Sequence, residues 1–432
     1  MAATAIAREQ SGRLATGEAL ARNGLRFLLV ALVVPVHNVL SDYWHLGAPG
    51  TDVAAAVLAV ATLFFLLRMG RDTAFAALRL PLMLFWAVSA TSALVNRVPW
   101  AQSAAGLRAM LPWLTLGLSA AAVFRPRDVP GMLRFAWLTG TVLAGYGILS
   151  YLTFRFVGGP FTMPPPGRNL WESVMLYPYQ CGAYPVPEGW RLVSTFMNDN
   201  YFGVWLTALI PIAFSQSMDE ARPGFRRAGL ACTVLMTVAF TWTYSRAAAL
   251  GFLVALGVLF WRGQRRALLL LVPVVIAAPL FMLWGDIYRF QHVAATQGGR
   301  VQSVQRTASA LETSPVLGKG PGTRGLADVN YAKIAYETGL LGLAAFAYLL
   351  ISVIRPALRR RAVSDGASQR LMSGMLAGLA AVAVAAMGGE VWEMPQIALY
   401  FWLIGGLLVV LATGEVAGRR SPMDQVGCIS LT

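Results

Sequence analysis

The chain is poor in the residues that build small stapled or metal-bound folds. It has three cysteines in 432 residues, too few for a disulfide framework. Cys232 sits in an apolar run, Cys181 alone in a polar stretch and Cys428 near the C-terminus, with no CxxC pair among them. Histidine is equally scarce: His37, His45 and His292 form no HExxH, so nothing points to a zinc site. There is no DxD pair of the kind that holds a metal and a nucleotide sugar. Lysine is nearly absent, with only Lys319 and Lys333 among 35 basic residues. Charged residues make up 13% of the chain, against about 25% in an ordinary soluble domain. That excludes a disordered chain, a coiled coil and a collagen.

What is present is apolar. AVILMFWYC residues reach 57% and the mean hydropathy is +0.59. The composition predicts an all-α polytopic membrane protein. Apolar runs of span length fall near 25–41, 53–68, 75–95, 105–124, 134–154, 200–217, 228–244, 246–261, 267–284, 338–354, 371–388 and 397–413. The seventh and eighth are almost continuous. They are read as two, because about 34 residues would make roughly 50 Å of helix, too long for one crossing. Twelve spans put both termini on one side. With that side cytoplasmic, the inner segments hold 22 basic and 9 acidic residues, and the outer segments 12 and 11. The net charge of +15 is therefore mostly a topology signal, and no nucleic-acid partner is needed to explain it. The first 24 residues are polar and carry Arg, and no small-residue cleavage site follows the next run. That run is read as an uncleaved first span. The layout is a cytoplasmic segment 1–24, a transmembrane unit 25–413 and a cytoplasmic tail 414–432.

Two outer connections are long, 155–199 and 285–337. The first holds seven prolines with Trp171, Tyr177, Tyr179, Tyr184 and Trp190, which excludes a long helix. In the second, Gly298-Gly299 reads as a break. Val301, Val304, Ala308 and Leu311 then recur at helical spacing, predicting an amphipathic helix over 300–312 that Ser314-Pro315 ends. Gly318-Lys319-Gly320-Pro321-Gly322-Thr323-Arg324-Gly325 follows. Its spacing is not that of a phosphate-binding P-loop. Asp328 is read as opening a helix that continues through Asn330, Tyr331 and Glu337. Long loops on one face suggest work at that face.

The polar residues there carry two readings each. Arg191 with Asn198, Asp199 and Asn200 precedes a span. It suits an anionic or sugar ligand at a helix start, or an N-cap with interfacial anchors. Tyr244-Ser245-Arg246 sits at a tight turn, where Arg246 adds its charge to a positive helix end; the alternative is a snorkelling Arg. Arg289, Arg300 and Arg306 flank the amphipathic helix, as phosphate ligands or as a solvated face, the latter preferred for Arg306. Asp328 is a candidate general base and equally a helix cap. Glu337, nine residues on, points about 180° away around a helix, so the two carboxylates are not a simple catalytic pair.

Taken in order, these pieces resemble the O-antigen ligase and polymerase superfamily of membrane glycosyltransferases. The resemblance rests on Arg191-Leu-Val-Ser-Thr-Phe with Asn198-Asp199-Asn200, Tyr244-Ser245-Arg246, Gly299-Arg300, Pro315-Val-Leu-Gly318-Lys-Gly320, and Asp328-Val-Asn-Tyr-Ala-Lys-Ile-Ala-Tyr-Glu337-Thr-Gly339-Leu-Leu-Gly342. It implies a GT-C-like arrangement in the bacterial inner membrane and a site facing the periplasm. It also implies an undecaprenyl-diphosphate-linked donor, an acceptor glycan or glycolipid, and no metal or cofactor. Arg191 and Arg300 would then act on the leaving diphosphate and Asp328 on the acceptor hydroxyl. Arg246, Arg289, Asn198, Asn200, Tyr331 and Glu337 would bind substrate. The ligase pattern has His eleven residues before the first glycine of the last motif, where this chain has Asp328. That departure favours a polymerase-type member over a ligase moving glycan to lipid A–core. A lipid-linked glycan transporter is the remaining reading. It would call for an internal repeat and midplane polar residues; no repeat is visible, and the polar residues crowd one face.

The charge asymmetry generates a direct expectation. In intact spheroplasts a membrane-impermeant thiol reagent should label Cys181 and spare Cys428. Labelling of Cys428 would overturn the orientation.

Overall fold

The computed structural model describes residues 74–157, 199–282, 293–323, 329–360, 366–389 and 391–418, with residues 23, 24, 26, 192, 194 and 196. The expected first two spans, most of the 155–199 connection and the C-terminal tail beyond Gly418 lie outside them. All regular structure among the described residues is helical. The helices are α1 (Ala76–Val95), α2 (Trp100–Leu118, extended by Ala120–Val123), α3 (Val129–Val157), α4 (Asp199–Asp219), α5 (Pro223–Thr241), α6 (Arg246–Trp261), α7 (Leu271–Met282), α8 (Val293–Thr313), α9 (Asn330–Arg359), α10 (Gly366–Ala385) and α11 (Pro395–Gly418). Seven are long and apolar enough to cross a membrane: α1, extended α2, α3, α4, α9, α10 and α11. The chain is a multi-pass membrane protein. α6 is apolar but spans 16 residues, and a 3-10 turn, Arg265–Leu270, leads into the short α7. The near-continuous run at 228–261 does divide, with α5 ending at Thr241 and α6 starting at Arg246.

α4 and α11 form the centre, buried over most of their length. α4 packs on α10, α5 and α6, and α11 on α2 and α9. The α4–α10 contact is built on small residues. A Cβ at Gly374 would lie 2.7 Å from the Pro211 carbonyl oxygen, and one at Gly378 2.3 Å from that of Ala208. Two backbones can approach this closely only where a side chain is missing. In lipid, where burial from water no longer drives helices together, such packing contributes much of the association. An aromatic cluster joins α1, α9 and α11. Phe346 lies 5.4 Å from Phe85 and 5.8 Å from Trp402, ring centre to ring centre. Trp392 lies 4.5 Å from Phe401.

The contacts sort the connections onto two ends of the bundle. At one end, the α1–α2 turn, the start of α4, the α5–α6 turn, residues 315–323 and 329–339, and the turn of 386–389 and 391–394 meet. At the other, Arg134 pairs with Glu220 at 2.9 Å and Arg370 with Asp219. Arg360 there donates to the Leu411 carbonyl at 3.0 Å. This is the alternation expected of successive crossings, and the Arg-rich connections share one end.

Two local expectations are corrected. Gly298-Gly299 does not break the chain, because α8 runs through both from Val293. Glycine weakens a helix by about 1 kcal/mol but leaves helical angles open. The buried face of α8 is Ser303, Thr307 and Ala310, not the apolar stripe; Val301 and Val304 are 55% and 54% exposed. Small residues let α8 lie close on α9, where the Thr307 hydroxyl reaches the Ala332 carbonyl at 3.4 Å. Helix α9 begins at Asn330 with Val329 in the cap position and no side-chain cap. Asp328, read as opening this helix, lies outside the described residues.

Gly378→Leu should lose most folded protein, read by size-exclusion profile in detergent, because overpacking of this kind costs about 1–3 kcal/mol or more. Gly257→Leu, with nothing within 4 Å of its added Cβ, should give wild-type yield.

Candidate active site

The site grows from an interruption in α9. Gly339 adopts φ 70° and ψ −171°, which splits the helix into two segments. The stretch Pro315–Gly320 lies in the gap and takes up the released backbone groups. Leu340 N–H donates to the Pro315 carbonyl at 2.9 Å and Leu341 N–H to that of Val316 at 3.2 Å. In the other direction, Lys319 N–H reaches the Tyr336 carbonyl at 2.8 Å and Gly320 N–H that of Glu337 at 2.9 Å. Gly339 is required twice over. Its φ is disfavoured for other residues, and a Cβ there would sit 2.1 Å from the Val316 oxygen. Across the gap a Cβ on Gly318 would meet the Tyr336 oxygen at 2.4 Å.

Neighbouring helix ends brace this knot. The Ser92 hydroxyl, on α1, lies 2.8 Å from the Glu337 carbonyl and 2.5 Å from that of Leu317. Gln102, on α2, donates to the Gly322 carbonyl at 2.9 Å. The buried carboxylate of Glu337 accepts the Gly322 N–H at 3.0 Å. It thus holds the glycine-rich turn against α9.

The first turn of α9 is tied to the 386–394 turn. The side-chain oxygen of buried Asn330 accepts the N–H groups of Val391 and, at 3.0 Å, Trp392. Tyr331 donates its hydroxyl to the Ala383 carbonyl at 2.8 Å. Lys333 and Glu393 form a half-buried ion pair at 2.6 Å. Asn330, Lys333 and Glu393 were not singled out from the sequence. The one available signal was a lysine inside the last motif of an arginine-rich chain.

The arginines gather on the other side of the same turn. Arg300, half-buried on α8, donates through Nη2 to the Gly388 carbonyl at 2.8 Å. A Cβ at Gly388 would lie 3.7 Å from Arg300 Nη1 and 3.4 Å from Cβ of Ala247. Ala247 follows Arg246, the exposed first residue of α6. Ser245 caps that helix, its hydroxyl oxygen accepting the Ala248 N–H at 3.2 Å. α4 packs directly on this turn, since a Cβ at Gly203 would lie 2.6 Å from Thr243 Oγ1 and 3.1 Å from Cβ of Ser245. Leu192 N–H donates to the Trp242 carbonyl at 3.1 Å, so the motif after Arg191 is also anchored here. Asn200 lies half-buried in the first turn of α4. The fold thus brings Arg246, Arg300, Asn200, Tyr331 and Glu337 to one end. Arg306 points to an exposed face. Arg191, Arg289, Asn198 and Asp328 lie outside the described residues.

Chemically, this end offers guanidinium groups beside the start of α6, where the helix dipole favours an anion. A guanidinium fork suits phosphate oxygens in particular. Among the described residues no group of three His, Cys, Asp or Glu is placed to hold a metal ion.

Residues 231–347 match the sequence model of the family described as O-antigen ligase. The matched stretch runs from α5 into the second segment of α9, and so contains Tyr244-Ser245-Arg246, Arg300, the glycine-rich turn and the Gly339 break. No curated protein matches the chain.

The geometry at Glu337 separates two roles. Glu337→Gln keeps an oxygen to accept the Gly322 N–H but removes the charge. It should retain protein level and most activity, whereas Glu337→Ala should lose about 1–3 kcal/mol of stability. Inactive but stable Glu337→Gln protein would move Glu337 from holding the turn to acting on substrate.

Proposed function

We propose that this chain, residues 231–347 of which match the O-antigen ligase family model, is a polymerase-type glycosyltransferase of surface-polysaccharide assembly. It moves a glycan from an undecaprenyl-diphosphate-linked donor to an acceptor sugar hydroxyl at the periplasmic face. The observation that carries this reading is the meeting of Arg300 with the start of α6 across Gly388, at the end of the bundle opposite the Arg-rich connections. That end is periplasmic if the basic connections are cytoplasmic, and there a lipid diphosphate would present its phosphates.

The acceptor oxygen attacks the anomeric carbon with inversion, and the bond to the diphosphate oxygen breaks. The lipid diphosphate is already a good leaving group. Catalysis then consists mainly of neutralising the charge that builds on it. Arg300 and Arg246 supply that charge, joined by Arg191 and Arg289. Asp328 takes the acceptor proton or orients the hydroxyl. Positioning of the hydroxyl carries much of its effect. Asn198, Asn200 and Tyr331 contact the sugars. Asp328 in place of the ligase histidine favours polymerase over ligase, although the family's description as O-antigen ligase keeps transfer to lipid A–core as the second reading.

The test is purified protein in nanodiscs with an undecaprenyl-diphosphate-linked repeat unit and lipid A–core, read as glycan chain length and as glycan carried on lipid A–core. Arg300→Lys should lose about 100-fold in rate, the scale seen when one charge-stabilising donor is removed. Arg306→Lys should stay near wild type. Asp328→Asn should keep expression and thermal stability while losing at least about 100-fold. Full activity of Arg300→Ala at normal protein level would sink the phosphate role. Product on lipid A–core but no longer chains would establish the ligase.

A further inference from the structure

At the end of the bundle opposite the candidate active site, a cavity of about 550 Å³ opens between α4, the link from α6 to α7, and the start of α10. Four arginines line it, Arg262, Arg265, Arg266 and Arg370, with Phe214 and Met218 as its apolar part; no carboxylate is among the lining residues. Its volume is in the range of small-molecule sites.

The wall is constructed, not merely a solvated basic rim. Arg262 is only 7% exposed. Its Nε donates to the Ser373 hydroxyl at 3.1 Å, which holds the guanidinium across the contact between α6 and α10. Gln264 is gripped from both sides, accepting from the Ser215 hydroxyl at 3.0 Å and donating to the Arg370 carbonyl at 3.0 Å. Asp219 accepts from Nε of Arg370 and orients that side chain. Arg265 and Arg266 stand exposed at the mouth. A guanidinium cannot shed its proton to escape burial, so a desolvated wall of this kind favours an anion. Topology explains why arginines lie at this end. It does not explain why one is buried and braced in a cavity wall.

We propose that this cavity is a second, non-catalytic anion site that takes a phosphate group presented at that membrane face, carried by a phospholipid headgroup or free in solution. Phe214 and Met218 would meet the glycerol and upper acyl carbons of a lipid. Basic pockets between membrane helices on the positive side bind anionic headgroups in this way. The proposal is independent of the glycosyltransferase reading; only the leaflet depends on the orientation.

The test uses the full chain in phosphatidylcholine nanodiscs. Phosphatidylglycerol is included at increasing fraction in one arm, and inorganic phosphate is added at millimolar level in the other, each read as a shift in Tm. Three proteins are compared: wild type, R265Q/R266Q, and R226Q/R227Q as a control pair at the same end that does not line the cavity. We expect a Tm rise in wild type that R265Q/R266Q loses by at least about half and the control pair keeps. A variant-sensitive rise with phosphatidylglycerol alone assigns the phosphate to a lipid; the same rise with inorganic phosphate assigns it to a soluble ion. No rise in either arm, or equal loss in both variant pairs, overturns the site.

Discussion

A membrane helix that breaks along its length releases N–H and C=O groups where little water is available to take them. In this protein the break at Gly339 is answered by another stretch of the same chain. Pro315–Gly320 supplies donors and acceptors on both sides of the gap, and Glu337, Ser92 and Gln102 hold that stretch in place. The arrangement works because glycines stand at the points of closest approach. Much of what lies around it follows. The first segment of α9 is free to set its own direction, α8 rests on it through Ser303 and Thr307, and Asn330 carries the 386–394 turn to it. Arg300 meets that turn from the other side. The arginine is thus positioned at second hand by the glycine knot.

The two ends of the bundle use charge differently. At the end with the knot, the described charges include the Lys333–Glu393 pair and Arg300 on the Gly388 carbonyl. At the other end arginines are numerous, and several are paired or braced, as with Arg134 on Glu220 and Arg262 on Ser373. A uniform surplus of positive charge sets orientation in the bilayer. Specific recognition needs individual groups held in geometry.

Much of this was legible in the residues. Apolar run length and arginine bias locate the helices and their alternation, because a helix must match the bilayer and charge must stay out of it. The division at Tyr244-Ser245-Arg246 was visible because no single crossing could be so long. The sequence puts Arg246 and Arg300 on the same outer side, but its spacing does not show their approach around Gly388.

The tertiary structure decided the rest. Local pattern assigned α8 the wrong buried face, since an apolar stripe seeks a partner in water but in a membrane protein can face outward. It read Gly298-Gly299 as a break, although glycine only weakens a helix. Glu337 and Tyr331 are held by the Gly322 N–H and the Ala383 carbonyl, 15 and 52 residues away in sequence, and no local pattern shows those contacts. By itself the sequence determined a multi-pass helical protein with its arginines at one end and its motifs at the other. Which atoms satisfy the broken helix was set by long-range backbone contacts, and those depend on three-dimensional closeness that no local periodicity encodes.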